Sequence, residues 1–258
     1  MLRLVRCALA CAFLALSVPC RADSDVGTAC GAPEDLTTSD ETLEQFAAAL
    51  AGGGPVNILA VGSATTVGSI TTTGGQTRAE HGGAFPWQML QALQTALPGV
   101  QFHLTVLGGR GMTAEEMLPL LRDALSKQHY SLVLWQTGTV EAVRGLRPDN
   151  MADILHQGAE LVRDGGGDLV LIDIQFSRFL RANTDLDPYE DVMQQVATMP
   201  GVALFHRFEL MRAWADVGRI DLERTPKADR DKALDQLNAC LGQALARFVL
   251  SGADALKK

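Results

Sequence analysis

The chain has 258 residues, 47% of them hydrophobic and 20% charged, which is enough apolar material for a substantial core in one medium or large domain and too much for a disordered chain. Its 22 basic residues stand against 30 acidic ones, for a net charge of −8. That balance excludes nucleic acid and anionic membranes as partners, because both need clustered Lys and Arg.

The first residues read as an export signal. Arg3 and Arg6 precede an apolar run from Cys7 to Val18, and Cys20-Arg21-Ala22 offers a small-x-small cleavage site. A membrane anchor needs about 20 apolar residues, and this run is shorter. A lipoprotein signal needs its cysteine after a small residue, whereas Cys20 follows Pro19. The expectation is a signal peptide over residues 1–22, cleaved near Ala22, and a secreted or periplasmic product with no membrane insertion. Cleavage removes Cys7, Cys11 and Cys20 and leaves Cys30 and Cys240. In an oxidising compartment an even pair is a disulfide candidate, two buried thiols being the alternative.

Residues 23–55 form a polar lead-in with a helix near Glu41 to Leu50 and a break at AGGGP. From Val56 onward, short apolar runs alternate with helical stretches. VNILAVG (from Val56), VQFHLTVL (from Val100), SLVLWQTG (from Ser131), GDLVLIDIQ (from Gly167) and GVALF (from Gly201) are nearly continuous in apolar residues, as strands buried on both faces are. Segments starting at Trp87, Thr113, Met151 and Tyr189 place apolar residues three and four apart, the spacing of helices packed by one face on a sheet. Strands alternating with helices imply parallel pairing and a three-layer α/β/α sandwich with a mostly parallel five-stranded sheet, spanning residues 56–258. Ligands of such sheets sit at the carboxyl ends of the strands. Trp135 and Trp214 read as core or pocket lining.

The first strand ends in GSATTVGS, Gly62 to Ser69. No GxGxxG or Walker pattern accompanies it, so no nucleotide cofactor is expected. No two histidines stand at ligand spacing, and Asp173, Asp185, Asp187, Glu190 and Asp191 lack the pattern of a calcium loop. They read as a solvated acidic loop, and no metal is expected. His81, His103, His129 and His156 have no motif context.

Four blocks in order, ILAVGSATTVGS, VLGGRGMTAEEM, LVLWQTGTVEA and LIDIQF followed by LFHRFELMRAWADVG, resemble the SGNH/GDSL hydrolases, in particular a secreted bacterial branch. The resemblance covers nearly the whole mature chain and implies a flavodoxin-like SGNH hydrolase fold. It also implies roles that several residues here do not fit. The family's nucleophilic serine is matched by Ala64, with Ser63 one position earlier. Gly111 matches a glycine whose backbone N–H helps form the oxyanion hole, and Val140 falls where an asparagine supplies another donor. The family's Asp-x-x-His is matched by Asp229 and Lys232.

Alanine carries no nucleophile. Lysine is normally protonated and accepts no proton unless its pKa is strongly depressed. One lost oxyanion donor costs about 10²–10³ in turnover. The resemblance with these departures implies a catalytically inactive binding or accessory protein of the cell envelope, holding a small acylated carbohydrate or other ester ligand. The alternative is an active esterase on carbohydrate or lipid esters, rewired around Ser63 with His206 as base, since His206 follows the last strand.

Overall fold

The computed structural model describes residues 30–73, 76–80 and 83–254. The leader at 1–22, the expected mature start at Asp23, and His81 lie outside the described residues. The five apolar runs form strands β1 (Val56–Gly62), β4 (Phe102–Gly108), β5 (Leu132–Gln136), β6 (Asp168–Ile172) and β7 (Val202–Phe205), while β2 (Ser69–Thr73) and β3 (Gln76–Glu80) pair as an antiparallel hairpin outside that sheet. The main sheet is parallel throughout, in the order β4-β1-β5-β6-β7. In chain order of its strands this is 2-1-3-4-5, the flavodoxin-like arrangement, whose direction of winding reverses between β1 and β5.

Successive side chains of a strand point to opposite faces, and the two faces have separate cores. On one, Val56, Ile58 and Ala60 of β1, Leu132 and Leu134 of β5, and Val170 and Ile172 of β6 pack with α1 (Glu44–Ala51), α3 (Phe85–Ala96) and α10 (Arg230–Asp254) through Phe46, Phe85, Met89, Leu93, Leu241 and Leu245. On the other, Leu59, Val61, Val133, Trp135, Leu169 and Leu171 meet α4 (Ala114–Lys127), α6 (Pro148–Asp164) and α8 (Asp187–Val196) through Met117, Leu121, Leu155, Val162, Val192 and Met193. Trp135 packs against α6, where Gly158 leaves room for it: a Cβ there would collide with the indole ring. Trp214 is also buried, so both tryptophans belong to the core.

Four further α-helices are α2 (Ala64–Val67), α5 (Thr139–Arg144), α7 (Arg178–Asn183) and α9 (Arg207–Asp216). α4 starts in a capping box, with Thr113 accepting from the Glu116 backbone N–H and Glu116 accepting from that of Thr113 at 2.8 Å. Residues 30–55 do not hang free. The Leu43 N–H donates to Gly252 at the end of α10, and the Phe46 N–H in the first turn of α1 donates to buried Asp168 Oδ2 at 2.9 Å.

Cys30 and Cys240 are joined in a disulfide with Cα atoms 5.6 Å apart, across 210 residues. The bond fastens the start of the described chain to α10. Among the described residues no helix is long and apolar enough to cross a membrane. Closing a loop of this length removes chain entropy from the unfolded state worth about 3–5 kcal/mol. Reduction, or Cys30→Ser with Cys240→Ser, is expected to lower the denaturation midpoint by a corresponding amount, and thiol titration of the unfolded oxidised mature protein is expected to find no free thiol; two free thiols would refute the bond.

Candidate active site

The winding reversal between β1 and β5 places a crevice at the carboxyl edge of the sheet. β1 delivers Ser63 there and β5 delivers Gln136, and both are buried. The Gln136 Oε1 receives the Ser63 N–H at 3.2 Å and lies within hydrogen-bond reach of the hydroxyls of Ser63 (3.2 Å), Thr65 (3.2 Å) and Thr66 (3.0 Å). A carbonyl oxygen has two lone pairs, so four donors oversubscribe it. The backbone N–H cannot turn away and fixes the orientation of the amide, which leaves the three hydroxyls to compete for the remainder.

Two glycines make this packing feasible. A Cβ at Gly62 would collide with the Thr66 side chain, and Gly108, at φ +125°, passes so close to the Gly62 carbonyl that any side chain would overlap it.

Ser63 therefore meets an amide oxygen, which accepts a hydrogen bond but does not serve as a general base. Ala64, which the sequence resemblance matches to the nucleophile, is exposed at the first position of α2. Gly111 has a φ of +76°, and its carbonyl accepts from Arg144 Nη2 at 2.8 Å. Val140 is partly exposed in the first turn of α5. Asp229 ends a short 3-10 turn, Lys232 lies in the first turn of α10, and both are exposed. Neither has a side-chain hydrogen bond or ion pair among the described residues.

His206 shares the carboxyl edge with Ser63, but β5 and β6 lie between their strands. Three strand spacings amount to about 14 Å, and the structure does not bring the two side chains together. The imidazole partner is Asp173, with Nδ1 3.8 Å from Oδ2, an ion-pair rather than a hydrogen-bond distance. That carboxylate favours the charged imidazole and raises the His206 pKa. Asp173 itself is 5% exposed and accepts from the Phe208 N–H at 2.8 Å; burial pushes its pKa up.

The acidic stretch is a solvated loop only at Asp185, which is exposed ahead of α8; Asp173 is buried beyond β6, whereas Asp187, Glu190 and Asp191 belong to α8. Glu190 faces a cavity of about 60 Å³ with Asp173, His206 and Glu209, and its buried Oε1 has no partner among the described residues. Burial, reinforced by Asp173, Asp187, Glu209 and Asp191, pushes its pKa up to about 7. No group of side chains able to hold a metal occurs among the described residues.

Three residues that the motif reading passed over shape this edge. Glu141, 3% exposed, accepts from the Ala114 N–H at the start of α4, from Thr137 Oγ1 at 2.9 Å and from the Gly138 N–H at 2.9 Å, so it pins together the loops that follow β4 and β5. Arg207, 1% exposed, reaches back from the end of β7 to Thr65 Oγ1 (Nη1, 3.2 Å) and Thr139 Oγ1 (Nη2, 3.5 Å). Burial lowers its pKa to about 10, so it remains a cation at neutral pH. Gln136 is the third. The available signal was a polar residue closing a buried apolar run, which Gln136 shows.

The parallel sheet in this order, covered on both faces and carrying its polar groups at the strand ends, defines the SGNH/GDSL hydrolase-like class. A model of the Non-GDSL lipase-like family matches residues 29–255, and the chain belongs to that family. Among solved structures it is similar to TesA (20% identity over 72% of this chain and 97% of that one, TM-score 0.52). It is also similar to a two-domain esterase, CEX, active on acetylated mannans (11% identity, 81% and 56% coverage, TM-score 0.59). A lipase/acylhydrolase from Enterococcus faecalis is a third such structure (14% identity, 74% and 94% coverage, TM-score 0.52). At these identities the likeness is one of fold. No curated protein sequence matches the chain significantly.

Replacing Gln136 by Leu strands the Ser63 N–H and is expected to lower stability by about 1–3 kcal/mol, whereas Thr66→Val, which removes one of three competing hydroxyls, costs about 1 kcal/mol or less; chemical denaturation of the two variants checks the order. For Glu190 the unfolded carboxyl titrates near 4.5 and the folded one near 7, so its contribution is intact below pH 4.5 and is lost as pH rises to 7. Glu190→Gln is expected to equal the parent near pH 4 and to exceed it above pH 7 by on the order of 1 kcal/mol, after allowing for solvent screening. Denaturation midpoints at the two pH values check this.

Proposed function

We propose that the chain is a non-hydrolytic binding or accessory protein of the cell envelope, built on an esterase fold. Residues 1–22 serve as a cleaved export signal, 23–55 as the lead-in and 56–258 as the esterase-like domain. The observation that carries this reading is the state of Ser63. Its hydroxyl lies against the Gln136 amide oxygen, with no base in reach among the described residues, while the exposed neighbouring side chain is the methyl group of Ala64. An acyl transfer needs a hydroxyl held against a proton acceptor, and neither residue meets that requirement.

Val140 in the place of an oxyanion donor and exposed Lys232 in the place of the base point the same way. The cystine between Cys30 and Cys240 suits an oxidising compartment and supports export. A small acylated carbohydrate or other ester is the ligand class suggested by the solved neighbours, one of which acts on acetylated mannans. A cavity of about 270 Å³ beside Glu141, lined by Thr113, Leu146 and Met151, offers room near the carboxyl edge.

An aryl acetate assay and labelling by a serine-reactive phosphonate test this reading. The expected result is turnover at background, no label, and no change in Ser63→Ala. Robust turnover abolished by Ser63→Ala, with the phosphonate on that serine, would establish the rewired esterase instead.

A further inference from the structure

We propose that the carboxyl edge above β1, β5 and β6 holds a binding site for a carboxylate group, formed by Arg207, Thr139 and Thr65. This deepens the binding-protein reading, and rests on it in taking the acid as the ligand rather than as a product the protein releases.

Arg207 has five N–H donors and no acceptor. Two of its nitrogens meet threonine hydroxyls, one of them at the outer limit of a hydrogen bond, and its buried Nε has no partner among the described residues. No carboxylate lies within ion-pair distance of its guanidinium there. Asp173, the nearby opposite charge, is already engaged by the Phe208 N–H and by His206. A buried cation with no counter-ion in contact is costly, and an arriving anion lowers that cost.

Thr139 supplies the contact. Its Oγ1 accepts from the Gln175 N–H at 3.1 Å and from Arg207 Nη2 at 3.5 Å, which occupies both lone pairs. Its own proton has no acceptor among the described residues. Thr139 and Thr65 are partly exposed and Ala64 is exposed, so this donor is reachable from solvent with a cation directly behind it.

The charge selects the ligand. A neutral ester carbonyl would accept the hydroxyl proton but leave the guanidinium uncompensated. A phosphate dianion would overshoot one cation that already has the Asp173 carboxylate nearby. A single carboxylate matches the one guanidinium that has no carboxylate in contact, whether it comes from a short free acid or from an acidic sugar.

The test is the melting temperature of the mature protein, titrated at constant ionic strength with sodium acetate, sodium glucuronate, methyl acetate, glucose, sodium phosphate and sodium chloride. A saturable rise with the carboxylates alone is expected, and the one that saturates at lower concentration identifies the source. Because Arg207 is buried, Thr139 carries the mutational arm, each variant being referred to its own unliganded value. Thr139→Val should weaken carboxylate binding about 10- to 100-fold, the loss of one hydrogen bond to a charged group, and Thr139→Ser should restore it.

No carboxylate response in the parent, an equal response to phosphate or chloride, or full binding by Thr139→Val would each overturn the site. Aryl acetate turnover measured on the same preparation separates the two proposals. Ser63-dependent turnover with the carboxylate response intact defeats only the non-hydrolytic reading, and an inert protein without the response defeats only this one.

Discussion

A parallel sheet covered on both faces has access to water only at the tips of its strands, and the polar groups at the carboxyl edge of this molecule follow from that constraint. The two cores use up the side chains along the strands, so the groups able to meet a ligand are those at or just past the last residue of each strand: Ser63, Gln136, Asp173, His206 and Arg207. The reversal between β1 and β5 decides which of them are neighbours. It sets Ser63 beside Gln136 and leaves His206 on the far side of two intervening strands.

At this edge one acceptor faces too many donors, and one cation has too few acceptors. The Gln136 oxygen closes the crevice by drawing in the backbone and hydroxyls after β1, while Arg207 bridges the loops after β1 and β5 from the end of β7. A fully buried guanidinium held by two hydroxyls is an expensive structural brace.

Much of the architecture was legible in the sequence, for a physical reason. Runs such as VNILAVG and LVLW are apolar on both alternations, which only a strand covered on both faces requires, and the helices from Trp87, Thr113, Met151 and Tyr189 carry a one-sided pattern. The hairpin β2–β3 was missed although a run rich in threonine is followed by Gly74-Gly75, a recognised turn signal. Helix α9 was missed because its residues follow β7 without a break. The site was much less legible. Gln136 and Ser63 are 73 residues apart in sequence, and Arg207 and Thr65 are 142 apart, so their pairing exists only once strand order is known. The acidic residues around Glu190 misled for the same reason, since composition does not reveal which carboxylates a helix turns inward.

The cystine between Cys30 and Cys240 has a consequence for how the molecule tolerates damage. Because it spans 210 residues, nearly every exposed turn lies inside a single covalent ring. A protease that cuts one of those turns opens the ring into a linear chain without releasing either piece, so the severed halves stay together at high effective concentration and the sheet can close again around the break. Protection of this kind comes from connectivity alone and holds wherever the cut falls between the two cysteines.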